Sequence, residues 1–423
     1  MVDWLSASYP PIPALLAELR ASWPPSVPAA AVDAGYVPMD LAALEPVAVL
    51  GPAPSLAIAI AGRSDGSFAV VPLMRDGWRP AIPGDGLSAF IAGLPMASER
   101  GIGVDQTNDS VVVGERVIVK WFRRVGPRRS RATLLLGHLE SVGFPAIPQP
   151  LGTVDWLSPA GEALTLAQGD AFLPDARDGW DWCVERLERH VAHGDEICPT
   201  GCDPWIGARL GQLVARLHEA LGRPSPVIPE PAAIASAQDV DRWRAQARRT
   251  LDDSLVLTAA QDQEAGAVLA ALEPAMRAAI DTIPVDRPIP TQPIHGDLHV
   301  GQVLEWAGGL AVIDFDGNPA LTGGANDLRQ PAERDIAQMA SSLDHVGRVV
   351  DHRTAGRARP IVDSWIARTR GEFLGALKAD PMILAAFEVE QECRELVYAA
   401  RFLPRWRYAP MATLRARFGG GVP

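Results

Sequence analysis

Residues 294–317, Ile294-His-Gly-Asp-Leu-His-Val-Gly-Gln-Val-Leu-Glu-Trp-Ala-Gly-Gly-Leu-Ala-Val-Ile-Asp-Phe-Asp-Gly317, leave a folding chain little choice. Two β-prone runs, 302–306 and 310–315, flank an Ala-Gly-Gly turn and predict a hairpin. A polar loop, 295–301, leads into the first run. In that hairpin Gln302 begins one strand and Asp314 ends the other, which sets an amide oxygen and a carboxylate on one side. Both are hard oxygen donors of the kind Mg²⁺ takes. Asp297 stands on the loop just before them, where it could accept the proton of a hydroxyl nucleophile. A proton acceptor and metal ligands that bridge phosphate oxygens are parts that phosphoryl transfer needs.

The rest of the chain must house this segment. At 423 residues it is too long for one ordinary core and suits two or three domains. Hydrophobic residues at 48% and charged residues at 21% exclude a disordered chain. A net charge of −12 argues against a general nucleic-acid binder and leaves a polyphosphate in need of local positive charge. The first twenty residues have no basic head and no apolar stretch of signal length, and no segment reaches about 18 uninterrupted apolar residues. The expectation is a cytoplasmic protein with no membrane segment. Four cysteines make no disulfide framework, and Cys198 and Cys202 lack a second pair at ligand spacing.

Strands are expected early and helices late, an α+β pattern. Residues 1–95 form a Pro- and Ala-rich opening unit, with a helix over 14–22 and β runs at 56–61 and 68–73. Residues 96–173 read as a hairpin, 110–113 and 117–122, followed by a helix over 131–142 and a strand at 165–167. From 174 to 423 the composition is helical: Asp178 is placed to cap a helix, and Leu210, Leu213, Val214, Leu217 and Leu221 share one face. A long Ala-rich helical region spans 232–283.

His-Gly-Asp-Leu-His-x-Gly-Gln followed by Ile-Asp-Phe-Asp-Gly resembles the catalytic and metal loops of the aminoglycoside phosphotransferase-like kinases. Gln302, where Asn is more usual, brings the chain nearer to the maltokinases. The resemblance continues through Arg334-Asp-Ile-Ala-x-Met339, Ser342-Leu-Asp344, Phe387-Glu-Val-Glu and Glu395-Leu-Val-Tyr398, and upstream through 105–110, 120–124 and 178–180. It covers roughly residues 100 to 410, and is strongest toward the actinobacterial glucosamine kinases.

The resemblance implies a two-lobed, protein-kinase-like fold with an N-terminal cap. It implies an ATP-dependent sugar kinase acting on an amino sugar, foremost glucosamine, to give glucosamine 6-phosphate. Asp297 would be the base or orienter, Gln302 and Asp314 the Mg²⁺ ligands, and Lys120 the strand lysine at the ATP phosphates. Gln106, Ser110, Phe172 and Leu173 fall at nucleotide positions. The helix acid that orients such a lysine is missing, because Leu134 stands where it would align. Arg123, Arg124, Arg128, Arg129 and Arg131 could supply positive field. His295 and His299 match loop residues that brace backbone rather than bind zinc, and Asp335 matches a helix aspartate that anchors the loop.

The acceptor would lie near the C-terminal helices. Glu388, Glu392 and Glu395 fall on one helical stripe with Gln391 beside it, and Asp316, Arg401 and Trp406 complete the candidate set. Clustered carboxylates repel one another and gain from a cation, which a sugar ammonium supplies; an indole can stack on a pyranose. A solvated acidic face is the alternative for the stripe. Maltokinase, aminoglycoside phosphotransferase and a non-catalytic nucleotide-binding regulator are the alternatives for the whole. The implied partners are ATP and a small sugar, with the protein a monomer or weak homodimer.

Overall fold

A computed structural model describes residues 7–8, 11–23, 41–102, 108–126, 130–193, 203–318 and 328–419. The chain divides into two compact units, 1–140 with 148–175, and 141–147 with 176–423.

The first unit is built from two sheets. In one, strands Glu45–Ala53, Leu56–Gly62, Phe68–Met74 and Arg79–Pro80 run antiparallel in sequence order, and Arg124–Val125 joins Phe68–Met74. Leu56–Gly62 reads as an unbroken apolar run because both of its faces are covered. Leu56, Ile58 and Ile60 meet Val111, Val119, Trp121 and Trp156 of the other sheet. Ala57 and Ala59 meet Leu15 and Leu19 of the helix Pro13–Ala21. That second sheet orders Pro150–Leu157, Ala163–Ala171, Val117–Trp121, Asp109–Val113 and Glu99–Gly101, with Ala7–Ser8 parallel to the first of these. The expected hairpin is Asp109–Val113 against Val117–Trp121, and the expected helix is Arg131–Ser141.

The second unit is mostly helical. Asp178 caps the helix Gly179–His193, accepting the Trp180 N–H on Oδ1 at 2.7 Å, a bond worth about 1 kcal/mol. All five apolar residues expected on one face of 206–221 are buried in the helix Gly207–Leu221. The Ala-rich region is two helices, Ala237–Gln261 and Gln263–Asp281, broken at Asp262, whose side chain caps the second. Two long helices, Glu333–Arg353 and Pro381–Phe402, run through the unit's interior. Among the described residues no helix is long and apolar enough to cross a membrane.

The hairpin expected over 302–315 forms with shorter strands than expected. Its strands are Val303–Trp306 and Gly309–Val312. Gln302 closes a 3₁₀ turn, Val300–Gln302, and is not the first strand residue. Asp314 lies beyond the second strand in the left-handed region, φ 61°. Asp tolerates that conformation better than most residues, and such backbone collects at functional sites.

Candidate active site

Asp335 organises the polar loop. Fully buried, it accepts the backbone N–H of His295 on Oδ2 and that of Gly296 on Oδ1, both at 2.8 Å. His218 Nε2 lies 3.1 Å from the same Oδ2. Burial pushes the Asp335 carboxyl up, but the His218 hydrogen bond and charge, then His295 and the Gly296 N–H, hold it below the usual range. Gly296 turns the chain at φ 86°, open to glycine at no steric cost. His295 is buried as well: its Nε2 donates to Ile313 O at 2.8 Å and its Nδ1 accepts the Asp297 N–H at 3.2 Å. Burial lowers its pKa against the pull of Asp335, which suits the neutral ring those two bonds require. His299 Nδ1 accepts from Gly301 N at 3.1 Å, so each histidine ties down a stretch of loop backbone.

The loop is braced from below at Gly179. A Cβ there would fall 1.7 Å from Val300 O, a closeness that only glycine permits.

Asp297 is half-buried and accepts two amide donors, Gln338 Nε2 at 2.5 Å and Asn318 Nδ2 at 3.1 Å. Gln302 Nε2 lies 3.5 Å from Asp314 Oδ2, with Asp314 exposed. An amide oxygen and a carboxylate fit Mg²⁺ chemistry. Among the described residues no cluster of three His, Cys, Asp or Glu could hold a metal, so phosphate oxygens and water would have to complete the shell.

Gln338 also lines a cavity of about 380 Å³ in the second unit, with Trp180, His299, His345, Gln391, Glu395 and Trp406 around it. Glu395 enters with both oxygens held: Trp406 Nε1 donates to Oε2 at 2.9 Å and Gln391 Nε2 to Oε1 at 3.0 Å. Trp406 is itself wedged edge-on against Trp180 and His345, at 5.9 Å and 5.5 Å between ring centroids.

The rest of the expected acceptor set does not line this cavity. Glu388 is buried against Arg370 and Arg417, with Arg417 Nη1 at 2.8 Å. Glu392 is fully buried and accepts from His345 at 2.8 Å. The stripe is therefore split, because the helix Pro381–Phe402 meets a different neighbour on each side. Arg401 is exposed and Asp316 half-buried, and neither lines the cavity.

Of the residues expected at the nucleotide, Lys120 pairs across the first unit's sheet with Ser110 on one flank and Gln168 on the other. Gln168 accepts from Thr133, the residue before Leu134, at 2.8 Å and donates to both oxygens of Asp170. Gln168 and Asp170 escaped the sequence reading, although two polar residues at i, i+2 in an apolar strand are a signal for a working face. Half-buried Phe172 lies under the Arg100 guanidinium at 5.4 Å, and Leu173 is buried. Arg123 and Arg124 do not offer free field: they pair with Asp109 and Asp65. Gln106, Arg128, Arg129, Cys198 and Cys202 lie outside the described residues.

Residues 98–317 match the phosphotransferase enzyme family. A glucosamine kinase of Streptacidiphilus jiangxiensis is 35% identical over 396 residues, 85% of this chain and 87% of that one. A glucosamine kinase of Mycolicibacterium smegmatis is 35% identical over 388 residues, 84% and 94% of the two chains. The chain belongs to the phosphotransferase enzyme family, among its glucosamine kinases. Solved glucosamine kinase structures share the phosphotransferase fold. One, 33% identical, superposes with a TM-score of 0.77 over 89% of this chain and 94% of that one. Another, in complex with glucosamine, ADP and inorganic phosphate, gives 0.75 at 33% identity over 90% and 94%. The kinase reading of the sequence therefore holds, and with it the α+β fold class.

Proposed function

We propose that this glucosamine kinase family member transfers the γ-phosphate of ATP to the 6-hydroxyl of glucosamine, with Asp297 taking the hydroxyl proton and Glu395 reading the ammonium. One observation carries the assignment of the acceptor site: Gln338 both lines the cavity holding Glu395 and donates to Asp297, so cavity and base are neighbours. A carboxylate held on both oxygens in a half-buried wall is a fixed anion, and the amino group distinguishes glucosamine from glucose. A cavity of this size lies at the small end of ligand pockets, as a monosaccharide requires.

Gln302 and Asp314 are the residues that would hold Mg²⁺, which when bound offsets charge on the phosphoryl oxygens. Lys120 and Ser110, with Gln106, Phe172 and Leu173, are assigned to ATP; Gln168 and Asp170 line the sheet beside Lys120 in place of a helix acid. His295 and Asp335 shape the loop. Residues 1–95 are read as a cap, 96–173 as the nucleotide lobe and 174–423 as the acceptor lobe. We place the enzyme in the cytoplasm, as a monomer or weak homodimer.

The deciding experiment is ADP release with glucosamine, N-acetylglucosamine, glucose, maltose and aminoglycosides as acceptors. Glucosamine should give the highest kcat/KM. A better result with maltose or an aminoglycoside would overturn the reading.

A further inference from the structure

We infer that Gln338 and Asn318 are positioning residues for the transfer: together they clamp one oxygen of Asp297 and so decide which oxygen meets the acceptor. The inference rests on Asp297 as the base. Among the described residues, both hydrogen bonds that the Asp297 side chain accepts land on Oδ1, at 2.5 Å from Gln338 and 3.1 Å from Asn318. A carboxylate only accepts, so the amide nitrogens must be the atoms that face it. The terminal torsion of an aspartate is broad and nearly two-fold, and an unclamped carboxylate would sample many orientations. Two donors on one oxygen remove that freedom. Oδ2 is then the oxygen left to take the hydroxyl proton as the new O–P bond forms and the bond from phosphorus to ADP breaks, its electron pair leaving with ADP.

The origin of the two donors supports the clamp. Gln338 stands three residues after Asp335 on the helix Glu333–Arg353, so both lie on the face turned to the loop. Asp335 grips the backbone at His295 and Gly296 while Gln338 grips the Asp297 side chain. Asn318 comes from a different segment, the one that follows the hairpin and Asp314. Gln338 is 4% exposed, and its amide is committed rather than solvated. Both clamps are neutral amides, which fix the orientation of the carboxylate by hydrogen bonding alone.

The test is steady-state kinetics of Gln338→Met, which keeps length and burial but cannot donate. We expect kcat to fall about ten- to a hundredfold, the usual penalty for a misplaced reacting group, with KM for ATP and for glucosamine nearly unchanged. Asn318→Ala, at a half-buried position, should lower kcat in the same way and decides the matter if Gln338→Met fails to show ADP-induced thermal stabilisation. Unchanged kcat in both variants overturns the clamp, as does a loss confined to KM for glucosamine, which would make Gln338 a wall of the pocket only. Asp297→Asn separates this from the underlying reading: retained turnover there refutes the base, whereas an inactive Asp297→Asn beside unaffected clamp variants refutes the clamp alone.

Discussion

Glu395→Gln tests the amino-sugar reading with little disturbance. The carboxylate is held by Trp406 Nε1 and Gln391 Nε2, one donor to each oxygen. In the variant the new amide oxygen can still accept from Trp406, while its NH₂ turns toward Gln391, whose own amide can flip to offer oxygen. Shape and network survive; the charge does not. A hydrogen bond to a charged group contributes about 1.5–3 kcal/mol, and Glu395 is half-buried, which favours the lower part of that range. The glucosamine-to-glucose ratio of kcat/KM should therefore shrink on the order of tenfold, and at most a hundredfold. Activity on glucose should stay close to that of the unaltered enzyme, because glucose has no ammonium to lose. The assay is coupled ADP release at saturating ATP with glucosamine, glucose and N-acetylglucosamine, after a melting curve shows that the variant is folded. A ratio that does not move refutes the argument that Glu395 reads the ammonium, and one that falls because glucose activity also collapses shows a structural role instead.

Asp314→Ala should raise the Mg²⁺ concentration needed for half-maximal rate more than Gln302→Ala does, because a carboxylate offsets cation charge and an amide does not; a Mg²⁺ titration of both variants checks the order. Gly179→Ala should cost about 3 kcal/mol or more and lower Tm on the order of 10 °C, since its Cβ would fall 1.7 Å from Val300 O; differential scanning calorimetry reads it directly. Burial pushes His345 down, but the charge and hydrogen bond of Glu392, then Glu395 and Asp344, leave its pKa net raised. Its pairing therefore stabilises the fold in full below the unfolded value of 6.5 and is lost as pH rises through the folded value. Glu392→Gln should cost about 3 kcal/mol on the acid side and progressively less on the alkaline side, read as the Tm difference between the two proteins across pH.

What could be read from the chain depends on how far apart the interacting residues stand. The loop and hairpin at 294–317 were legible because turn chemistry and strand propensity act locally; His295 to Ile313 O, the span of the brace, is 18 residues. Even there the strand limits slipped: Gln302 belongs to a 3₁₀ turn and Asp314 to a left-handed residue, neither of which period-two alternation can report. The expected acceptor stripe is another matter. Glu388 and Glu392 sit on one helix, yet they pair with Arg417 and His345, which lie 29 and 47 residues away. A helical stripe assumes a wet face and a dry face; from Ala386 to Cys393 this helix is buried on every side, so each acid there is sorted by whichever helix it meets. That leaves Glu395, near the helix end, as the acid that reaches the cavity. Gln338 was invisible for the same reason. It is one amide in a helix, and only the fold brings it across 41 residues to Asp297. The candidate base and metal ligands thus share one contiguous segment, while the wall of the cavity is assembled from residues that folding alone brings together.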